Sequence, residues 1–121
     1  MNYDRRQRKP SFLALCGGVL AAMAVGLSAY ASHGAEGQAQ ANLQTAAMFA
    51  FGHGLALAAL TAGTVRRMGK TGLYALLLGT LLFAGSLSLK VLAGMSSLLA
   101  PAGGILLMAG WVVWAIDAVR R

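Results

Sequence analysis

Acidic side chains are nearly missing from this chain: three Asp and Glu stand against ten Lys and Arg. They are Asp4, Glu36 and Asp117, far apart in sequence. That scarcity excludes paired-carboxylate acid–base chemistry and carboxylate-rich metal cages. A single cysteine, Cys16, excludes an intrachain disulfide and a thiolate metal cluster. Charged residues total only 11%, where a soluble domain carries about 25%. So few charges cannot cover a globular surface in water. What is present is apolar: hydrophobic residues make up 58%, with sixteen Gly and only two Pro. This composition fits closely packed membrane helices, in which small residues let backbones approach.

Four runs have about the length needed to cross the hydrocarbon core, roughly 20 residues. They are expected as helices over about 12–32, 43–65, 72–93 and 102–119, because backbone groups cannot stay unpaired in lipid. The fourth is the shortest; Pro101 precedes it and Arg120-Arg121 close it. The expected class is an all-α membrane protein, a compact bundle of four transmembrane helices. Residues 1–11 form a basic tail and 12–121 a single domain.

The positive charges set orientation. Arg5, Arg6, Arg8 and Lys9 precede the first run, Arg66, Arg67 and Lys70 separate the second and third, and Arg120 and Arg121 follow the fourth. The connections "HGAEGQAQAN" and "GMSSLLAP" hold no Lys or Arg. Basic flanks lie on the cytoplasmic side, so both termini are expected inside, in a bacterial-type inner membrane. The net charge of +7 therefore points to the bilayer and not to nucleic acid.

Competing export readings fit less well. Ala29-Tyr30-Ala31 has the small-x-small form of a signal-peptidase site, but the preceding apolar run exceeds the usual signal core of about 7–15 residues. "LALCGG" resembles a lipoprotein box, yet Leu15 is too large for the position before Cys16 and "SFLAL" is too short a core. Arg5-Arg6 is followed by Gln7-Arg8 where a twin-arginine signal needs apolar residues.

Small residues suggest packing seams. Gly18, Ala22, Gly26, Ala29 and His33 share a face of the first helix, Gly79 and Ser86 a face of the third, and Gly103, Gly110 and Asp117 a face of the fourth, where Gly104 adds to the small-residue run. Tyr30, Tyr74 and Trp114 are expected as interface anchors and Trp111 as bundle packing.

Ionisable groups within spans are functional candidates, since burying charge there is costly. His53 near the middle of the second helix either bonds a neighbouring helix or serves as a relay or ligand. His33 at the outer end of the first helix either closes that end by hydrogen bonding or binds something. His53 lies about 15 Å deeper than its own helix start, so the two histidines are not expected to share a metal or haem. Lys90 either snorkels to the interface or faces an outward cavity with Ser86 and Ser88. Asp117 is expected to face water or pair with an Arg. No nucleophile–base set is visible, and "GHGLALAALTAG" lacks the preceding strand of a nucleotide fingerprint. The chain is expected to be no enzyme, to hold no metal and to carry no cofactor.

Four local stretches, taken in order, carry a family resemblance. "SAYASHG" corresponds to a Gly-Ala-Phe-Gly-Ala-His pattern, and "LQTAAMFAFGHGLAL" to a stretch ending in Tyr-x-x-x-His before an apolar run. "LFAGSLSL" corresponds to Leu-Phe-Ser-Gly-Ser-Leu, and "APAGGILLMAGW" to Thr-Pro-x-Gly-Gly followed by Gly-Trp. Across roughly residues 13 to 116 the chain resembles the YgdD/YwdK family of small four-span membrane proteins, which has a mitochondrial-type branch in animals. It departs from that pattern at Met48 and Phe49, where the family usually carries Glu and Tyr, and at Lys90, a position apolar in many relatives. The family's function is unknown, so the resemblance implies a fold and no reaction.

Two functional readings follow. The first is a structural or accessory component of a membrane complex, with other membrane subunits or further copies of itself as partners. The second is an oligomeric transporter or pore component of small solutes, ions or protons, using His53 and Lys90.

Overall fold

The computed structural model describes residues 10–96 and 98–120. Arg5, Arg6, Arg8, Lys9 and Arg121, on which part of the charge argument rests, lie outside the described residues. The described chain forms four helices: α1 (Phe12–Gly34), α2 (Gly37–Leu60), α3 (Arg67–Ala93) and α4 (Leu99–Val119). No strand occurs among the described residues. Each helix is long and apolar enough to cross a membrane.

Helix ends follow from local chemistry. Ser11 caps α1, its Oγ accepting from Ala14 N at 3.2 Å. α3 ends at Gly94, whose φ of 67° is left-handed, and the N–H groups of Gly94 and Met95 both return to Leu89 O. Pro101 lies inside the first turn of α4 and not before it. The N–H that proline lacks has no intrahelical partner there in any residue.

Three boundaries differ from the sequence expectation by five or six residues. α2 begins six residues earlier than 43. Its polar start is helical because glutamine is a good helix former and because Gln38 donates to Asn42 Oδ1 at 2.8 Å, one turn on. α2 also stops at Leu60, beyond which the hydroxyls of Thr61 and Thr64 donate back to the carbonyls of Leu57 and Leu60. Leu57 O also accepts from Thr61 N–H, whereas the Thr64 hydroxyl satisfies a carbonyl that the ending helix would leave open. α3 starts at Arg67 and not near 72, so its first turn is polar.

α1 packs antiparallel on α2, and α3 on α4; α2 joins the two pairs by packing on α3, while α1 touches α3 lightly. Among the described residues α1 and α4 do not approach each other closely. Leu13, Leu20, Leu57, Leu73, Leu76 and Leu107 form one core cluster. Ala24, Ala46, Ala50 and Ala84 form a second. Large apolar side chains such as Met23, Leu55, Leu78, Ile105 and Val112 face outward. Such a surface is uncommon on a soluble monomer and suits lipid contact.

Glycine sets the helix separations. A Cβ added at Gly17 would lie 2.5 Å from Gly54 O, and one at Gly54 would lie 2.6 Å from Gly17 O. Gly72 and Gly110 meet in the same reciprocal way, as do Gly79 and Gly103. Gly79, Gly103 and Gly110 are thus at the expected contacts, whereas Gly104 only grazes Phe83 at 3.9 Å.

The seam expected on α1 is corrected. Cβ atoms added at Gly18 and Gly26 would meet nothing within 4 Å, and Ala22 is exposed. The buried stripe is Leu13, Gly17, Leu20, Ala24 and Ala31. Two adjacent stripes of α1 carry small residues at helical spacing. Hydropathy cannot choose between them, because lipid is as apolar as a neighbouring helix.

Candidate functional site: polar side chains between the helices

The first polar cluster joins α2 to α4. His53 Nδ1 lies 2.8 Å from Phe49 O, and Trp111 Nε1 donates to His53 Nε2 at 3.0 Å. Indole N–H is only a donor, so Nε2 must accept, and Nδ1 must then carry the proton given to Phe49. Both ring nitrogens are spoken for, and protonating Nε2 would break the Trp111 bond. Phe49 stacks on His53 with ring centroids 5.8 Å apart, and Phe83 lies 4.6 Å from Phe49. Trp114 completes this wall, edge-on to Trp111 at 6.2 Å and donating to Thr64 Oγ1 at 3.0 Å. Trp114, expected as an interface anchor, is thus half-buried and pins α4 to the end of α2. The aromatic side chains of α4 span the distance to α2 that its backbone does not close.

The second cluster joins the parts of α1 and α2 nearest their connecting turn. Gln44 Nε2 donates to Ser28 O at 3.3 Å and to Ser32 Oγ at 2.9 Å, and Gln44 Oε1 accepts from Ser28 Oγ at 2.9 Å. Gln40 Nε2 donates to Ala31 O at 3.0 Å. Ser28, Ser32 and Gln44 form the polar floor of a groove of about 540 Å³, to which His33 also contributes. His33 is exposed, and its side chain makes no hydrogen bond among the described residues.

The remaining candidates stay apart from these clusters. Lys90 is exposed in the last turn of α3. Ser86 is 7% exposed and Thr80 fully buried, and the hydroxyl of each lacks a hydrogen-bond partner. Tyr30 and Tyr74 are each half exposed, and the Tyr30 ring lies where a Cβ at Gly34 would sit. Asp117 packs its carboxylate against Gly69 in the first turn of α3, and its Oδ1 is buried without a partner. It pairs with no Arg among the described residues, contrary to one of the two expectations for it. That place suits it, because a helix N-terminus attracts negative charge. At the same end Arg66 donates to Arg120 O at 2.7 Å, so the α2–α3 turn and the end of α4 present their cations together. No group of three or more His, Cys, Asp or Glu gathers among the described residues, and His33 and His53 belong to different clusters.

Sequence reasoning passed over Gln44, Ser28 and Ser32. The available signal was Ser28 and Ser32 one turn apart in the first span, with Gln44 just inside the expected start of the second. It also took Trp111 as packing alone, whereas its N–H decides the state of His53.

Comparison with curated proteins and with solved structures finds no match. One family model, a protein of unknown function designated DUF423, matches residues 27–104. That segment runs from the C-terminal part of α1 to the first turns of α4, and holds His53 and every groove residue but Ala24 and Val25. The chain belongs to the DUF423 family.

Proposed function

We propose that this protein is a non-catalytic accessory component of a larger membrane complex, of the YgdD/YwdK type, set in a bacterial-type inner membrane with both termini in the cytoplasm. One observation carries the reading. The central polar group, His53, has both ring nitrogens bonded inside the chain. A relay or ligand residue needs a nitrogen open to a proton path or a metal. The meeting of Arg66 and Arg120 at one end of the helices supports the orientation.

The alternative, an oligomeric carrier using His53 and Lys90, is less well supported. His53 would have to leave Trp111, and Lys90 sits exposed at a helix end.

The test is the native particle. The protein, tagged at its own locus, is extracted in mild detergent and its mass and composition determined. Stoichiometric foreign subunits support the accessory reading, and their activity then defines the function. A small homo-oligomer without partners refutes it and directs work to ion and solute flux in liposomes, comparing wild type with His53→Ala and Lys90→Ala.

A further inference from the structure

The groove between α1 and α2 changes from polar to apolar along the helix axes. Its outer end carries Ser32 and His33; about one turn further in come Ser28, Ala29 and Gln44, and the inner part is walled by Val25, Met48 and Phe51. From Val25 to His33 α1 rises about 12 Å, so the groove enters the bilayer from its edge. Its volume of about 540 Å³ lies within the range of ligand clefts, about 300–1,000 Å³.

The hydrogen-bond inventory says what the polar end lacks. Both N–H bonds of Gln44 are used on Ser28 O and Ser32 Oγ, so the glutamine is a fixed floor and not a free recognition group. Ser32 Oγ accepts from Gln44, which leaves its own O–H without an acceptor among the described residues. His33 likewise has no partner there. Two groups able to donate thus stand at the membrane edge above an apolar slot.

We propose that this groove binds one phospholipid, with an acyl chain along Val25, Ala29, Met48 and Phe51 and the phosphate and ester oxygens accepting from Ser32 and His33. A polar head with a hydrocarbon chain matches both the direction and the sign of the groove's polarity. A transmembrane helix of a partner fits it less well, because its backbone groups are already paired internally and offer no acceptor oxygens at that depth. The site is separate from the His53 cluster and does not depend on the accessory reading.

The test uses the purified full-length chain, stripped of lipid and titrated with dioleoyl phosphatidylglycerol, followed by native mass spectrometry and thermal unfolding. Dioleoylglycerol, which lacks the phosphate, and inorganic phosphate alone are run beside it. Wild type should retain one phospholipid per chain and unfold at a higher temperature with it. Ala29→Leu, at an exposed position, fills the slot and should lower retention at least tenfold with the lipid-free unfolding temperature unchanged. His33→Ala should lower it about fivefold to tenfold, the loss of one hydrogen bond to the head. Equal retention of dioleoylglycerol, or undiminished retention by Ala29→Leu, overturns the proposal. Stabilisation by inorganic phosphate alone overturns it in favour of a simple anion site. A wild-type dimer that becomes monomeric with Ala29→Leu overturns it in favour of a second copy in the groove.

Discussion

The indole N–H of Trp111 on α4 donates to Nε2 of His53 on α2 at 3.0 Å, although the two helix backbones do not pack closely. This bond and the neighbouring one from Trp114 to Thr64 connect the α1–α2 pair to α4. Trp111→Phe keeps the aromatic bulk and removes the donor. It should lower stability by about 0.6–1.7 kcal/mol, the range measured for side-chain hydrogen bonds between membrane helices. A double-mutant cycle with His53→Ala, read by unfolding in mixed micelles, should return a coupling energy of that size. Strict additivity would mean that the bond carries nothing.

The glycine contacts predict a contrast between adjacent residues. Gly17→Val and Gly103→Val place side-chain atoms on the facing backbone; a Cβ at Gly103 alone would come within 2.5 Å of Phe83 N. Each should cost about 1–3 kcal/mol or more and reduce folded yield. Gly18→Val and Gly26→Val meet nothing in the chain, so the monomer should keep its wild-type unfolding temperature. If Gly18→Val unfolds the protein as Gly17→Val does, the assigned face of α1 is wrong.

Gln44 holds α1 and α2 together near their connecting turn by three bonds. Gln44→Leu keeps similar bulk and removes all of them. The expected loss is about 1–3 kcal/mol, and it should be local. Amide exchange should rise from Ala24 to Ser32 and from Gln40 to Met48, and stay unchanged around Gly79 and Gly103.

Orientation is tested by accessibility. In a Cys16→Ser background, Glu36→Cys and Gly63→Cys sit at opposite ends of α2 and both positions are exposed. A membrane-impermeant maleimide added to intact cells should label the first and not the second. Labelling of the second alone would reverse the proposed topology.

Legibility in the sequence varied with the kind of force involved. The four spans and the basic flanks were plain, because a bilayer demands long apolar runs and sorts Lys and Arg to one side. The polar start of α2 was left open for the opposite reason: residues 35–41, with Gln38 and Gln40, read in isolation as a short interfacial helix or a plain loop. Gln40, and Gln44 one turn on, bond partners that lie on α1. Gly79, Gly103 and Gly110 were found at true contacts. Gly18 and Gly26 were not, since Gly17 offers the same spacing one residue away.

The sequence by itself determined that this chain is a set of four apolar helices, and which ends of those helices bear positive charge. Both properties depend on the solvent, and a residue's affinity for lipid or water is read one segment at a time. Only the tertiary structure decided which face of each helix is buried, that His53 is held by Trp111, and that Gln44 builds the floor of a groove between α1 and α2. In lipid, apolarity no longer distinguishes inside from outside. Backbone clearance at glycine and the pairing of the few polar groups choose among otherwise equivalent faces, and both require a neighbour that a single segment does not contain.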